Sequence, residues 1–488
     1  MSAVLAALAR HAVRTPDSVA LSGDGQTFTH RQLMSAVEAT AARLRRIAPD
    51  FDGAPVAVII DNGPAWVILD LALIQLGWPS VPVPAFFTAA QREHVLIDAG
   101  VGMLITESHG PLEIGGTGFE IALLSGDTSR FPPTTAKITY TSGSTGQSKG
   151  VCLSLAQMET VAVSIVETIG ADYAGVHMPV LPLAILLENV AGLYVTLIAG
   201  GRYHVLPPGQ LGLRNPFRPD IAVLAQALHA AGATSLILVP ELLRALLLVL
   251  GFTGARLPAL RFVAVGGARV APQLLKQSET LGLPVFEGYG LSECASVVSL
   301  NTPTSSRAGS VGRPLPHVAL SVDDDGEVIV GHRPFLGYTG RPPQPGPLHT
   351  GDLGRLDADG FLSIEGRRSN VIINAFGRNI APEWVESELL AQPEIRQAVV
   401  FGEAQAELSA VIVPLMPDAT AEDMVVALDR ANANLPSYAH VQRIFMRGPF
   451  DPAAGELTGN GRPRRSVLME HHRDFLENLE GNCRHEFL

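Results

Sequence analysis

Cysteine is scarce in this 488-residue sequence. Cys152, Cys294 and Cys483 are the only three, widely spaced and odd in number. That excludes a disulfide framework and a cysteine-built zinc cluster, and it suits a reducing cytoplasm. Positive charge is also short: 35 lysines and arginines stand against 47 aspartates and glutamates, a net of −12. No nucleic-acid partner is therefore expected, although a local basic site for an anionic ligand stays open. Clean apolar runs are missing as well. The two most apolar stretches, 181–200 and 235–251, are broken by Glu188 with Asn189 and by Glu241 with Arg244. Neither offers the roughly 20 uninterrupted residues of a membrane span, so both are expected in the core. There is no GxGxxG turn between a strand and a helix, which argues against a dinucleotide-dependent reductase. The opening MSAVLAALARHAVRTPD carries arginine and histidine within its apolar stretch and reads as an amphipathic helix, not a signal peptide.

What is present is bulk for large cores: 47% hydrophobic against 17% charged residues, in a chain about three times the usual domain length. To about residue 365 the pattern alternates. VAVII (56–60) precedes the helically spaced WVILDLALIQLG, SLILVP precedes ELLRALLLVLG, and LRFVAVGG precedes VAPQLLKQSETLG. This predicts an α/β fold, a large domain of layered βα sheets with mostly parallel strands. SVDDDGEVIVG and LDADGFLSIEGRR are period-2 runs around Asp-Gly turns, so a hairpin-rich subdomain is expected. The proline- and glycine-dense 332–352 stretch is expected to be mostly turn. Residues 1–366 form the predicted large domain and 367–488 a small α+β domain, with the LENLEGNCRHEFL tail as a fraying, solvated helix.

The strongest chemical signal is ITYTSGSTGQSKGV, 138–151. A β-branched strand runs into Thr141, Ser142, Gly143, Ser144, Thr145 and Gly146, followed by Lys149. Glycines let backbone approach an anion, amides and hydroxyls donate to phosphate oxygens, and the lysine adds a cation. The spacing is not that of a Walker loop, because Gln147 and Ser148 separate Gly146 from Lys149.

With this loop the chain resembles the adenylate-forming superfamily of acyl-CoA synthetases, peptide-synthetase adenylation domains and luciferase. VGGARV (265–270), EGYGLSE (287–293), HTGD (349–352), GRRSNVIINAFGRNIAPEWVE (366–386) and LTGNGRPRR (457–465) follow in the family's order. The resemblance runs to about Leu468. It implies ATP and Mg²⁺ as cofactors, with coenzyme A or a phosphopantetheine arm as co-substrate. The loop and Lys149 would hold the phosphates, and Gly266, Gly267 and Ala268 would pass close to adenine. Tyr289, between Gly288 and Gly290, would stack on it. Ser292, where the family usually has threonine, would meet the α-phosphate, and Glu293, a hard oxygen donor, would hold Mg²⁺. Asp352 would accept from the ribose hydroxyls, and Arg367 would reach the ribose and phosphate side. A hinge near Ser369, where Asp or Lys is usual, would let a mobile small domain present Gly377, Arg378 and Asn379 to a thiol channel.

One departure is chemical. The family's carboxy-terminal lysine, which bridges acid and α-phosphate, is replaced by Arg462, and the only lysines are Lys137, Lys149 and Lys276. Arginine keeps the charge as a larger planar fork. The acid pocket is expected along LPLAILLENVAGLY (181–194), with Ala184 in place of a frequent aromatic or histidine wall. Its lining is expected to be apolar, with Glu188 and Asn189 the only polar groups and no aspartate for an α-amino acid. His471 and His472 are expected on a solvated helix face. The reading is an AMP-forming acid–thiol ligase acting on a small-molecule acid, with a carrier protein, if any, supplied in trans. An amine acceptor, a small oxyanion substrate, or a non-catalytic nucleotide sensor remain alternatives.

Overall fold

The computed structural model describes residues 2–141, 148–215, 219–331, 335–342, 346–458, 461–477 and 485–487. Cys483 lies outside the described residues. Two large sheets carry the amino-terminal two thirds. In one, the strands Phe262–Val265, Ser235–Leu238, Val176–His177, Arg202–His204 and Val19–Gly23 run parallel. Gln26–Thr29 closes one antiparallel edge, and Ser296–Leu300 with Arg313–Pro314 the other. In the second, Val56–Ile59, Ser80–Pro82, Met103–Ile114 and Thr135–Thr141 form a parallel centre. The hairpin-rich subdomain pairs Leu320–Val322, Glu327–Val330, Leu348–Leu356 and Leu362–Arg367 antiparallel, as the Asp-Gly turns predict. The small domain packs Pro382–Leu390 and Ala421–Asn432 against a sheet of Ile395–Phe401, Leu408–Pro414 and Val441–Met446.

Local signals set the helices. The opening amphipathic stretch is the Ala3–Arg14 helix, burying Val4, Ala7 and Leu8. Its positive end is met by a carboxylate: Glu159 Oε1 accepts from the Ser2 hydroxyl at 2.5 Å and the Val4 amide at 3.0 Å. Capping boxes start His30–Ile47 (Thr29 with Gln32) and Leu155–Ile169 (Ser154 with Gln157). Pro64–Leu76 begins on proline and stops at left-handed Gly77. Apart from Asp70 and Gln75 it is apolar all round, and one continuous core joins it to strands of both sheets.

Within that core lies an ion pair that sequence patterning does not reveal. Lys137, 1% exposed, donates to Asp70 Oδ1 at 2.7 Å, to Asn189 Oδ1, and to the Tyr194 hydroxyl at 3.2 Å. Tyr194 and Asn189 in turn donate to Asp70 Oδ2 at 2.8 and 3.2 Å. Burial pushes the Lys137 pKa down and the neighbouring carboxylate opposes it.

One expectation fails here, and one helix is of an unforeseen kind. The terminal stretch is not helix throughout: His485–Phe487 adds a parallel strand beside Ile444–Met446, because that edge offers unpaired amides and carbonyls. And Glu188–Tyr194 forms a π-helix, whose wider turn redirects the side chains of the acid-pocket segment. Among the described residues no helix is long and apolar enough to cross a membrane.

Removing one member of the buried pair leaves the other charge unpaired. Lys137→Met should therefore lower the unfolding free energy by about 3–5 kcal/mol in urea titration, with much of the loss recovered in Lys137→Met/Asp70→Leu. A single variant as stable as wild type would show that the pair does not hold the core.

Candidate active site

A continuous cleft of about 2950 Å³ lies between the two sheets, the hairpin subdomain and the small domain. It is several times the size of an ordinary small-ligand pocket, room for a nucleotide and a second substrate together.

The strand pair Thr135–Thr141 and Lys149–Ser154 brings Tyr140, Ser148 and Lys149 to this cleft, with Thr141 directly opposite Lys149. Ser142, Gly143, Ser144, Thr145 and Gly146 lie outside the described residues, as does the side chain of Thr141. The flanks of the loop are held from the Ala89–Asp98 helix. His94 Nε2 meets the Ser148 carbonyl at 2.9 Å, while Asp98 accepts from the Tyr140 hydroxyl at 2.8 Å and from Thr339. Lys149 lines the cleft with its ammonium 5.9 Å from the centroid of the Tyr338 ring.

Motifs far apart in sequence meet across from it. Tyr289, on the strand Val285–Leu291, donates to Asp352 Oδ2 at 2.6 Å, and Arg367 Nε meets Asp352 Oδ1 at 2.9 Å. Asp352 sits within the strand Leu348–Leu356, not in a turn as its motif suggests. Burial raises its carboxyl above the ordinary range and Arg367 opposes that shift. Burial and then the Asp352 charge push Tyr289 well up, so its hydroxyl stays a donor. Ser292 and Glu293 open a short 3₁₀ turn after the same strand, and Glu293 Oε1 accepts from the Tyr338 hydroxyl at 2.8 Å. Tyr338 thus links Lys149 to Glu293. Sequence reasoning missed it; its only signal was an aromatic residue inside a proline-rich turn region.

Gly266, Gly267 and Ala268 follow the strand Phe262–Val265 and line the cleft beside Gly288 and Gly290. Gly267 has φ +86°, and a Cβ there would stand 3.2 Å from Arg462 Nη2. The glycine lets Arg462 in: its guanidinium reaches from the small domain and donates to the Gly267 carbonyl. Asn460, beside it in the motif, lies outside the described residues.

The acid-pocket expectation needs correction. Glu188 and Asn189 do not line the cleft; both are buried in the core. Asn189 serves the Lys137 pair, and Glu188 Oε1 accepts from the Tyr203 hydroxyl and pairs with His177 Nε2, each at 3.0 Å. A Cβ on Gly192 would fall 2.0 Å from Glu188 Oε1, so a side chain there would break this cluster. The wall that remains is apolar, with Ile165, Ile169, Ala184, Ala191 and Phe262, and His177 and Ser235 supply polar groups at its inner side. His471 is exposed, as expected of a solvated face, but both histidines are also paired: His471 Nδ1 meets Glu456 Oε1 and His472 Nε2 meets Arg447 Nη1, each at 2.9 Å. Cys152 and Cys294 are free and buried, and burial raises both thiols, so neither is a poised nucleophile.

Glu287, just before the tyrosine motif, is 8% exposed, and burial pushes its carboxyl from the ordinary 4.5 up to about 7. A carboxyl raised on folding contributes stability that is present below its unfolded pKa and lost as pH climbs through the folded one. Wild type should therefore lose stability relative to Glu287→Gln between pH 4.5 and 7, on the order of 3 kcal/mol. Thermal unfolding of both proteins across that window checks it, and parallel profiles would contradict it.

The comparisons with known proteins agree with this geometry. The family model described as AMP-binding enzyme matches residues 8–334, and that for the AMP-binding enzyme C-terminal domain matches 369–479. The chain is 26% identical over 518 aligned residues to an oxalate–CoA ligase of Arabidopsis thaliana, covering 96% of this chain and 97% of the relative. It is 28% identical to a 2-succinylbenzoate–CoA ligase of Bacillus thuringiensis subsp. konkukian, over 81% of this chain and 84% of that one. Among solved structures it is similar to O-succinylbenzoate coenzyme A synthetase from Bacillus subtilis in complex with ATP and magnesium ion. That match has a TM-score of 0.76 at 25% identity and covers 94% of this chain and 98% of the other. The chain belongs to the AMP-binding enzyme family.

Proposed function

We propose that this enzyme joins a carboxylic acid to AMP at the expense of ATP, releases pyrophosphate, and passes the acyl group to the thiol of coenzyme A. The phosphopantetheine arm of a free-standing carrier protein is the other acceptor the proposal allows. The observation that carries the reading is convergence: Lys149, Tyr289, Glu293, Asp352, Arg367 and Arg462, contributed by both domains, face one cleft. The names of the relatives, two CoA ligases, support coenzyme A as the acceptor.

A carboxylate is a poor electrophile, and adenylation gives it AMP as a leaving group. A carboxylate oxygen of the acid attacks the α-phosphorus, and the bond to the pyrophosphate oxygen breaks. The enzyme's contribution is position and charge. Tyr289 and the 266–268 backbone flank the adenine, Asp352 takes the ribose hydroxyls, and Arg367 lies beside them. Ser292 donates to the α-phosphate, and the 142–146 loop with Lys149 cradles the outer phosphates. Glu293, a carboxylate on the cleft wall, suits magnesium, a hard cation that takes oxygen donors and, when bound, neutralises phosphate charge. Arg462 offers a fork that can span an acid oxygen and an α-phosphate oxygen. The apolar wall suits an apolar acid and disfavours an α-amino acid.

The proposal includes the division between 1–366 and 367–488 and a hinge at Ser369. Arg368, just before it, is tied to Asp325 at 3.1 Å and Glu327 at 3.2 Å on the hairpin subdomain, so rotation would begin after that residue. It also places the enzyme in the cytoplasm, on the sparse cysteines.

Separating the two half-reactions tests the assignment. Arg462→Ala should slow acid-dependent pyrophosphate release by about a hundredfold or more, the scale of losing one oriented charge-stabilising donor. Thioester formation from supplied acyl-adenylate should be spared. Unchanged pyrophosphate release across a panel of apolar acids would remove Arg462 from the chemistry and favour a nucleotide-sensing protein.

A further inference from the structure

The arginine that enters the cleft stands on a small hairpin, and one buried carboxylate holds that hairpin's base. Thr458 N donates to the Arg462 carbonyl at 2.7 Å, Arg462 N to Thr458 Oγ1 at 2.9 Å, and Arg464 N to the Glu456 carbonyl at 2.7 Å. Leu457 and Pro463 form a bridge between these contacts. Glu456 is 2% exposed and engages four donors. Arg447 meets it through two guanidinium nitrogens at 2.8 and 3.0 Å, the Asp451 amide at 2.6 Å, and His471 Nδ1 at 2.9 Å. Burial pushes this carboxyl up, yet Arg447, the Asp451 amide and His471 together hold it down to about 2.

The three side chains come from three elements. Arg447 follows the strand Val441–Met446, Glu456 opens the hairpin, and His471 ends the Arg465–His471 helix that leaves it. Arg447 is itself braced by His472 at 2.9 Å and lies over the Phe450 ring at 5.5 Å from its centroid. At the exit, Arg465 donates to Glu386 at 2.5 Å and to the Val400 carbonyl at 3.2 Å. Both sides of the hairpin are therefore fixed to the small-domain sheet, and the Arg462 side chain projects from it to the Gly267 carbonyl.

We infer that Glu456, clamped by Arg447 and His471, is the positioning residue that aims Arg462 at the reacting oxygens during adenylation. The inference rests on the catalytic reading of Arg462 given above. A long guanidinium has many rotamers, and a rigid backbone beneath it is what limits where the fork can go. Displacing a reacting contact by about 1 Å costs on the order of a hundredfold in rate. Glu456 acts through Arg462 and touches no substrate, so its loss should appear in the turnover of one half-reaction and not in nucleotide affinity.

The test compares wild type, Glu456→Gln, His471→Gln, Arg462→Ala and the double variant Arg462→Ala/Glu456→Gln. Acid-dependent pyrophosphate release and thioester formation from supplied acyl-adenylate are measured separately. Glu456→Gln should lower kcat for adenylation by about a hundredfold, leave KM for ATP within about twofold, and spare thioester formation. His471→Gln, which keeps the Arg447 pair, should show a smaller loss confined to the same half-reaction; it carries the test if Glu456→Gln does not fold. The double variant should be no slower than Arg462→Ala alone. If Arg462→Ala is slow while both clamp variants adenylate at the wild-type rate, the inference falls and the Arg462 reading stands. Equal slowing of both half-reactions, or losses that multiply in the double variant, would also overturn it by showing a merely structural role. If Arg462→Ala itself leaves adenylation unchanged, the earlier reading falls and this inference with it.

Discussion

An ammonium group buried among apolar side chains is the constraint around which the large domain is organised. Lys137 has to be paired where it lies, since an unpaired charge in that core would cost several kcal/mol. Its partners come from separate parts of the fold: Asp70 from the apolar Pro64–Leu76 helix, and Asn189 and Tyr194 from the π-helical segment. The same strand that carries Lys137 runs on to Thr141 and the glycine-rich loop. One pair thus ties the strand that ends at Thr141 to the segment expected to wall the acid pocket. It also explains why Asn189 turns away from that pocket.

Around the cleft the polar groups are already paired with one another. Asp352 is held between Tyr289 and Arg367, Glu293 by Tyr338, and Arg462 by the Gly267 carbonyl. On the proposed function, such an arrangement would keep these donors and carboxylates pre-positioned, so that little reorganisation is needed when charge moves. Arg462 fits this pattern: the contact it makes is with a backbone carbonyl opened to it by a glycine.

The sequence made the backbone architecture legible. Glycines, hydroxyls and Asp-Gly turns act locally, so the strand leading into the glycine-rich segment, the two hairpins and the helix stop at Gly77 could be placed from spacing and turn chemistry, whereas the helix expected to end at Gly251 runs on to Thr253 and stops at Gly254. The order of the motifs then pointed to one shared nucleotide site. What could not be read were pairs whose partners lie far apart. Lys137 and Asp70 are separated by 67 positions, and Tyr338 and Glu293 by 45. Glu188 and Asn189, expected to line the acid pocket as the polar groups of their segment, are held in the core by distant partners: Tyr203 and His177 for Glu188, Lys137 and Asp70 for Asn189. The pairing of exposed His471 was hidden for a related reason: its partner Glu456 lies across the hairpin, not along the helix.

The central claim, that this cleft makes an acyl-adenylate, is tested most directly by exchange of labelled pyrophosphate into ATP on the wild-type enzyme without coenzyme A. Adenylation is reversible at that stage, so the account predicts exchange that requires magnesium and an apolar carboxylic acid and proceeds without any thiol. Tight ATP binding with no acid-dependent exchange, over a panel of aliphatic and aryl acids, would contradict it.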